Sequence, residues 1–269
     1  MIPDMSKLYR MVILTEYDGT DFVGFQRQNN GRSVQQVLEK ALADIYGMPT
    51  LVYGCSRTDS GVHARGHVSH VNVPFLIPSD KLPLAMNSLL PDDVCVRASS
   101  RVSDDFHARF HTEGKEYVYR IWNSPIRPAI DRRNVAHVPG HLDLTAMRKA
   151  ASELEGEHDF SAFCAQGGTH VNPVRYMESI CIVEHADSPL IEIVVRGKSF
   201  LYNMVRILAG TIVYAGQGRL DPSAISSILA DKDRRLSGKT MPARGLTLEK
   251  VFYQNNPFDR IADQVTSEK

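Results

Sequence analysis

The sequence predicts an α+β protein in which helices cover a mostly antiparallel sheet. Three observations carry that expectation. β-rich runs and runs of helical periodicity alternate from one end of the chain to the other. Each half places a helical run between strand-like runs. Late in the chain, Ile180–Glu184 and Leu190–Val195 form a strand pair joined by a turn at Asp187-Ser188-Pro189. At 269 residues, 43% of them apolar, the chain can bury a large core as one domain or as two fused halves. The expected division is an N-terminal half over 1–105, a C-terminal half over 106–255 and a polar tail over 256–269. The two halves share this pattern without direct sequence repetition.

The elements follow in order. Met11–Tyr17 is β-rich and ends at the turn Asp18-Gly19-Thr20. Ser33 offers an N-cap with Gln36 three residues on, a capping box. Val34, Leu38, Ala41, Leu42 and Ile45 then share one helical face, and Gly47 is the stop. Leu51–Tyr53 and Val68–Val73 read as strands. Ser79 is expected to cap a helix running to Leu90, with Pro83 near its start and Pro91 beyond its end. Asp93–Ala98 and Lys115–Asn123 alternate as strands do. In the second half, Asp143 is expected to cap a helix through Leu154, ending near Gly156. Phe200–Tyr214 has helical periodicity in Met204, Ile207, Leu208, Thr211 and Ile212. Asp221-Pro222 opens a short helix with proline at its first position. Leu248–Tyr253 closes the fold, and the polar residues from Gln254 to Lys269 are expected to be loosely attached.

Composition narrows the function classes. Cys55, Cys95, Cys164 and Cys181 lie far apart, with no Cys-x-x-Cys pair and no histidine at finger spacing. That argues against a zinc site and a disulfide framework, and it suits a reducing cytosol. The N-terminus has no apolar signal core, and the apolar run around Ile207–Gly216 is too short to span a bilayer. The expectation is a soluble, cytoplasmic protein with no membrane partner. Thirty-one basic residues balance thirty-one acidic ones, yet their distribution decides local potential. Acids gather in stretches such as Glu153-Leu154-Glu155-Gly156-Glu157. Arginines gather elsewhere, at Arg57 and Arg65, at Arg101, Arg109 and Arg120, and at Arg127, Arg132 and Arg133. Converging on one face, they would form a basic groove on a neutral body; otherwise they are solvated charge.

The most informative run is Gly54-Cys55-Ser56-Arg57-Thr58-Asp59-Ser60-Gly61-Val62-His63-Ala64-Arg65-Gly66. It sets one acid among small, turn-forming and cationic residues, between two strand-like segments. Its glycines allow a tight loop held clear of the core. An aspartate two residues from an arginine stays ionised even in a partly dry cleft. Such a carboxylate is a candidate nucleophile or general base. A generic Arg-x-Asp is more often a turn beside a solvated arginine; the thirteen-residue string is far more specific.

Four further stretches carry possible chemistry. The loop Tyr17–Gln28 is polar and punctuated by glycine, and Gln26 can donate and accept toward base edges or riboses. Phe106-His107-Ala108-Arg109 precedes Lys115-Glu116-Tyr117-Val118-Tyr119-Arg120, where Tyr117 and Tyr119 share a strand face. Such a pair packs a core or stacks on a base. Arg206 stands in an apolar helical stretch, where it needs an anion that its sequence neighbours do not supply; Asp59 would satisfy it. Pro242-Ala243-Arg244-Gly245-Leu246 reads as a turn or a substrate-side loop.

Together these strings resemble the tRNA pseudouridine synthase A family over nearly the whole chain. The matching blocks run in family order: the Tyr-Asp-Gly-Thr loop at Tyr17, the Arg-Thr-Asp-Ser-Gly-Val-His-Ala loop at Arg57, Asn87 with Leu90-Pro91, and Phe106–Arg109. Then come Lys115–Tyr119, His158-Asp159-Phe160, Met204-Val205-Arg206 and Ala243-Arg244-Gly245-Leu246. The resemblance implies the pseudouridine synthase fold, with two similar halves around a central mostly antiparallel sheet flanked by helices. It implies isomerisation of uridine to pseudouridine in the anticodon arm of tRNA, at tRNA positions 38–40, without a cofactor or metal. It also implies a homodimer in which one tRNA contacts both subunits. By the same resemblance Asp59 attacks C1′ or assists glycal formation, Arg206 pairs with it, and Tyr117 stacks on the uracil and can move a proton. Arg57 holds the flipped nucleotide, and Gln26, Arg109 and Arg244 are weaker RNA contacts.

Two stretches depart from the family pattern. His67 stands where the family usually has glutamine; a histidine can hydrogen-bond there too, and makes a backbone or RNA contact sensitive to pH. The stretch Ala165–Arg175 differs from the commoner version while keeping Arg175, which bears on target choice. Two alternatives belong to other classes. A catalytically silent RNA-binding protein on the same fold is opposed by the intact Asp59, Tyr117 and Arg206, whereas a paralogue of the same class acting on another RNA stays open through the Ala165–Arg175 stretch. A carbohydrate-active enzyme needs a pair of carboxylates at set separation, where the motif supplies one acid flanked by arginines.

Overall fold

The computed structural model describes residues 8–167 and 172–259. In chain order the elements are β1 (Tyr9–Tyr17), α1 (Val34–Tyr46), β2 (Val52–Gly54), β3 (His63–Val73), α2 (Leu82–Asn87), β4 (Val94–Arg101) and β5 (Thr112–Trp122). Then follow β6 (Ala136–His137), α3 (Leu144–Ser152), β7 (Gly156–Asp159), β8 (Val174–Glu184), β9 (Leu190–Gly197), α4 (Met204–Gly216), α5 (Ile225–Asp231) and β10 (Leu246–Tyr253). The α+β class expected from the sequence is the class found. The elements divide into two compact units, one of Met1–Glu113 with Leu248–Lys269, the other of Gly114–Thr247. The chain leaves the first unit within β5 and returns to it within β10.

In the first unit the strands run β4-β1-β3-β10, with β2 also paired to β3. β1 is antiparallel to both neighbours; Met11 stands opposite Val71 on β3 and Arg101 on β4. Met11, Val12 and Ile13 are all buried, so β1 is covered on both faces. Both pairings shift register near its end, between Leu14 and Thr15 against β4 and between Thr15 and Tyr17 against β3. Such irregularities twist a strand and re-aim its last side chains, and here they precede the loop that begins at Asp18.

The capping box on α1 forms as expected: Gln36 N–H donates to the Ser33 hydroxyl, and Ser33 N–H donates to the Gln36 side-chain carbonyl. Val34, Leu38, Ala41 and Leu42 are buried along one face, and Gly47 closes the helix at φ 69°. α2 differs from expectation. It starts after Lys81 with no side-chain cap, because Pro83 lacks an N–H and fits only in a first turn. It ends at Asn87, whose carboxamide donates to the Val96 carbonyl at 2.9 Å and accepts from Val96 N–H at 2.8 Å. That pair of bonds copies a strand neighbour and draws the end of the helix onto β4.

In the second unit the strands run β5-β9-β8-β7, antiparallel throughout, and β6 lies parallel to the end of β5. Asp143 caps α3, its carboxylate accepting from the N–H groups of Thr145 and Ala146. The helix stops at Ser152, and Gly156, at φ 95°, opens β7 instead. β8 begins six residues earlier than expected because its first part pairs with β7, Arg175 opposite His158. α4 begins at Met204 rather than Phe200. Asn203 before it is left-handed at φ 56°, a conformation asparagine tolerates and a helix does not continue through. At Asp221-Pro222 the chain makes one tight turn, Asp221 accepting from Ser223 N–H, and runs on into α5. No helix among the described residues is long and apolar enough to cross a membrane. The loose attachment expected of the tail concerns mainly 260–269, outside the described residues.

One buried titratable group on β3 sets an acid limit. His70 is 2% exposed and accepts from Ala108 N–H through Nδ1 at 3.2 Å. Burial, helped by the neighbouring charges of His107 and Arg10, lowers its pKa to about 4. An unfolded histidine takes up its proton near pH 6.5, so between there and about pH 4 the unfolded chain holds more protons than the folded one. The stability is complete above pH 6.5 and declines as the pH falls to 4, by on the order of 3 kcal/mol. Urea unfolding should show a lower midpoint at pH 5 than at pH 7.5. In His70→Gln that pH difference should shrink, even though the variant starts from a lower midpoint.

Candidate functional site

Two loops of the first unit, 17–28 and 54–62, are bound together by their backbones. Phe25 N–H donates to the Thr58 carbonyl at 3.1 Å and Gly61 N–H to the Phe22 carbonyl at 3.3 Å. The Ser60 hydroxyl donates to the same Phe22 carbonyl at 3.1 Å. Tyr17, at the irregular end of β1, shares a 2.7 Å hydrogen bond with the Thr58 hydroxyl. Half-buried Asp59 lies between these attachments, its carbonyl accepting from Val62 N–H at 3.1 Å. The seam requires glycine at Gly24, where φ is +115° and a Cβ would fall 2.6 Å from the Thr58 oxygen.

His67 ties β3 to both loops. Its ring stacks on Phe25 with centroids 3.9 Å apart and planes at 20°. Nε2 donates to the Ser56 carbonyl at 3.0 Å, and the Ser69 hydroxyl donates to Nδ1 at 3.3 Å. A carbonyl only accepts, so these bonds place the proton on Nε2. The departure from glutamine noted in the sequence is thus a residue that hydrogen-bonds the backbone of the aspartate loop.

Beneath the seam lies a buried anion that sequence reasoning missed. Glu39 on α1 is 5% exposed. Its carboxylate accepts from Val52 N–H and from the Gln35 side chain, each at 3.0 Å, and pairs with the Arg27 guanidinium. Gln35 accepts from Arg27 N–H at 2.9 Å, and its own N–H donates to the Phe25 carbonyl at 2.9 Å. Helix, β2 and the Gln26–Gln28 stretch are therefore fastened to one another. The signal was available in the pattern: Glu39 adjoins Leu38 at the rim of the apolar face of α1, where a lone acid needs partners. Gln26 and Arg57 are exposed, one on each loop.

Arg109, also exposed, belongs to the same unit but to another loop, between β4 and β5. The structure places Tyr117, Arg206 and Arg244 in the second unit. Tyr117 is buried, its ring edge-on to Phe200 at 5.1 Å. Two residues along β5, fully buried Tyr119 donates to the Pro242 carbonyl at 2.8 Å. Burial pushes the Tyr119 phenol upward, while the charges of Arg206 and Arg244 pull it back, which places both cations near that ring. A Cβ on Gly245 would fall 2.7 Å from Tyr119 Cζ, so the turn carrying Arg244 sits directly on it. Arg206 donates from Nε to the Met241 carbonyl at 2.7 Å and from Nη1 to the Asn203 side chain at 2.6 Å. The left-handed turn at Asn203 thus positions the arginine that follows it. Arg175, second residue of β8, donates to the Asn172 and Val174 carbonyls at 2.8 and 2.7 Å. Of the loop before it, 168–171 lie outside the described residues.

In chemical terms, the first unit offers a carboxylate on a fixed loop rimmed by exposed polar and cationic side chains. The second offers buried aromatic rings beside two guanidinium groups. Such parts suit attack on an electrophilic carbon and recognition of a flat, anionic polymer unit.

Removing the buried anion should loosen the first set. Glu39→Ala leaves the Val52 N–H without its acceptor and the Arg27 guanidinium without its carboxylate, at a cost of about 2–4 kcal/mol. Urea unfolding measures that loss, and limited proteolysis should cut faster within 17–28 than in the parent protein.

A family model described as tRNA pseudouridine synthase matches residues 13–111 and 150–254. The chain is 47% identical over 245 residues to the tRNA pseudouridine synthase A of Ruminiclostridium cellulolyticum, covering 91% of this chain and 100% of that one. It is 45% identical over 241 residues to the protein of the same name from Syntrophotalea carbinolica, covering 90% and 95%. Among solved structures, it matches a chain in the crystal structure of a Cbf5-Nop10-Gar1 complex at 13% identity and TM-score 0.38, over 90% of this chain and 50% of that chain. On the family model and these full-length relatives, the chain belongs to the tRNA pseudouridine synthase family.

Proposed function

We propose that the protein isomerises uridine to pseudouridine in the anticodon arm of tRNA, at positions 38–40, with Asp59 as nucleophile and no cofactor. The observation that supports this most is the seam at Asp59: a half-buried carboxylate whose neighbours are held by backbone bonds on both sides. A fixed carboxylate is what attack on C1′ needs, since misplacement of a reacting group by 1 Å can cost about 100-fold in rate.

In this reading the Asp59 carboxylate bonds to C1′ as the N1–C1′ bond breaks, and the uracil leaves with the electron pair. The base turns, C5 bonds to C1′, and Asp59 is released as carboxylate. C5 loses its proton and N1 gains one, so the product is an isomer of the substrate. Arg206 supplies the positive charge that keeps Asp59 ionised and oriented. Tyr117 stacks on the uracil and serves as the proton-moving group. Leaving the helix stack costs the target nucleotide a few kcal/mol, offset by that stacking and by contacts to Arg57, Gln26, Arg109 and Arg244. The same reading includes a homodimer, with one tRNA touching both subunits, working in the cytoplasm.

The reaction expels the hydrogen at C5, so tritium release from tRNA transcript labelled with [5-³H]uridine reports it directly. The wild type should release tritium without added cofactor or metal. Asp59→Asn should lose release by roughly 10³-fold or more while still binding tRNA. Unchanged turnover in that variant would remove Asp59 from the chemistry. Arg206→Ala should lose release as well.

A further inference from the structure

The first unit contains a run of four aromatic rings that the proposed chemistry does not use. Tyr53 on β2 lies over His70 on β3, with centroids 4.9 Å apart and planes at 13°. His70 meets His107 edge-on at 4.6 Å, and His107 meets Phe110 at 4.2 Å. His70 in the middle is sealed from water, whereas Tyr53 at one end is 43% exposed and Phe110 at the other 74%. The exposed Arg109 guanidinium lies 5.9 Å from the Phe110 centroid.

An exposed phenylalanine on a mobile loop can fold back onto apolar surface. This loop is pinned. His107 Nδ1 accepts from Arg109 N–H at 3.1 Å and Phe110 N–H at 3.4 Å. His111 N–H donates to the His107 carbonyl, and His107 N–H donates to His111 Nδ1. Ala108 is held at both ends, its N–H by His70 and its carbonyl by the Tyr253 hydroxyl at 2.7 Å. Arg10 donates to the Phe106 carbonyl at 2.8 Å. The ring is therefore presented outward in a fixed pose, which lowers the entropic cost of binding something flat against it.

Charge narrows the occupant. Acids in the preceding turn are engaged, Asp104 with Arg101 and Asp105 with Ser103. That leaves Arg109 as the cation beside the ring, and a π-face next to a guanidinium matches a base with its phosphate. We propose that Phe110 and Arg109 form a stacking platform for an unpaired nucleotide of the RNA substrate, its base on the Phe110 ring and its phosphate on Arg109. The proposal rests on the RNA-modifying reading above. His70, in the middle of the run, is seven residues along β3 from His63 at the end of the aspartate loop, a rise of roughly 23 Å.

The test is equilibrium binding of unmodified tRNA transcript across a salt series, with tritium release by the wild type run alongside. Phe110→Ala should raise Kd about 5-fold or more at every salt concentration, leaving the salt slope unchanged. Phe110→Leu, which keeps apolar bulk and loses the π-face, should bind as weakly as the alanine variant, and Phe110→Trp should bind at least as tightly as wild type. Arg109→Gln should reduce the salt slope by about one. Melting temperatures of the variants should match wild type, since the Phe110 side chain is mostly in water. Phe110→Ala binding within two-fold of wild type would overturn the proposal, and so would wild-type affinity in Phe110→Leu. Loss of self-association in Phe110→Ala without a change in Kd would assign the ring to a second copy of this chain, also overturning it. A wild type that binds tRNA and releases no tritium defeats the activity reading alone; the ring series still decides the platform.

Discussion

The hydrogen bond from Phe25 N–H to the Thr58 carbonyl is the constraint around which the first unit is organised. It forces two loops into backbone contact, and backbone contact forbids a side chain at Gly24. Everything near it serves that closeness. The register shifts in β1 deliver Tyr17 to the Thr58 hydroxyl. His67 fills the space behind with a ring on Phe25 and a bond to the Ser56 carbonyl. Glu39 neutralises Arg27 and anchors β2 just before the aspartate loop starts. A loop of this kind is ordinarily mobile; the backbone on either side of Asp59 is fastened by groups that water would otherwise hydrogen-bond.

The second unit uses a different device for the same purpose. Two of its candidate side chains, Tyr117 and Arg206, stand on strand and helix, which hold direction better than loops do. β5 carries Tyr117 and Tyr119 on one face, and the turn at Gly245 lies against Tyr119 too closely for a side chain. Arg206 gains its direction from neutral oxygens, the Met241 carbonyl and the Asn203 carboxamide.

How much of this could be read in advance depended on whether the cause was local. The capping box at Ser33, the Asp143 cap and the β1 run were legible because each is decided within a few residues. The start of α2 was misread at Ser79 because the rule for proline overrode the rule for caps. β6 and β7 were missed, being short and dependent on partners remote in sequence. The aspartate loop announced itself through composition, and Arg206 through the oddity of a cation in an apolar run. Glu39 and the ring run ending at Phe110 depend on contacts across different elements, Glu39 with Val52 and His70 with His107. No spacing rule reveals those.

The interrupted first unit has a consequence for synthesis. The second unit is one continuous stretch, Gly114–Thr247, and emerges from the ribosome with all its parts. The first must wait for residues from Leu248 onward, because β3 takes β10 as its neighbour and Gly66 lies under the Glu249 carbonyl. Until then β3, which leads directly out of the aspartate loop, has an open edge, and open edges invite pairing with other chains. The half of the protein begun first is thus the half completed last, and a nascent chain halted before β10 carries the aspartate loop on an unfinished sheet.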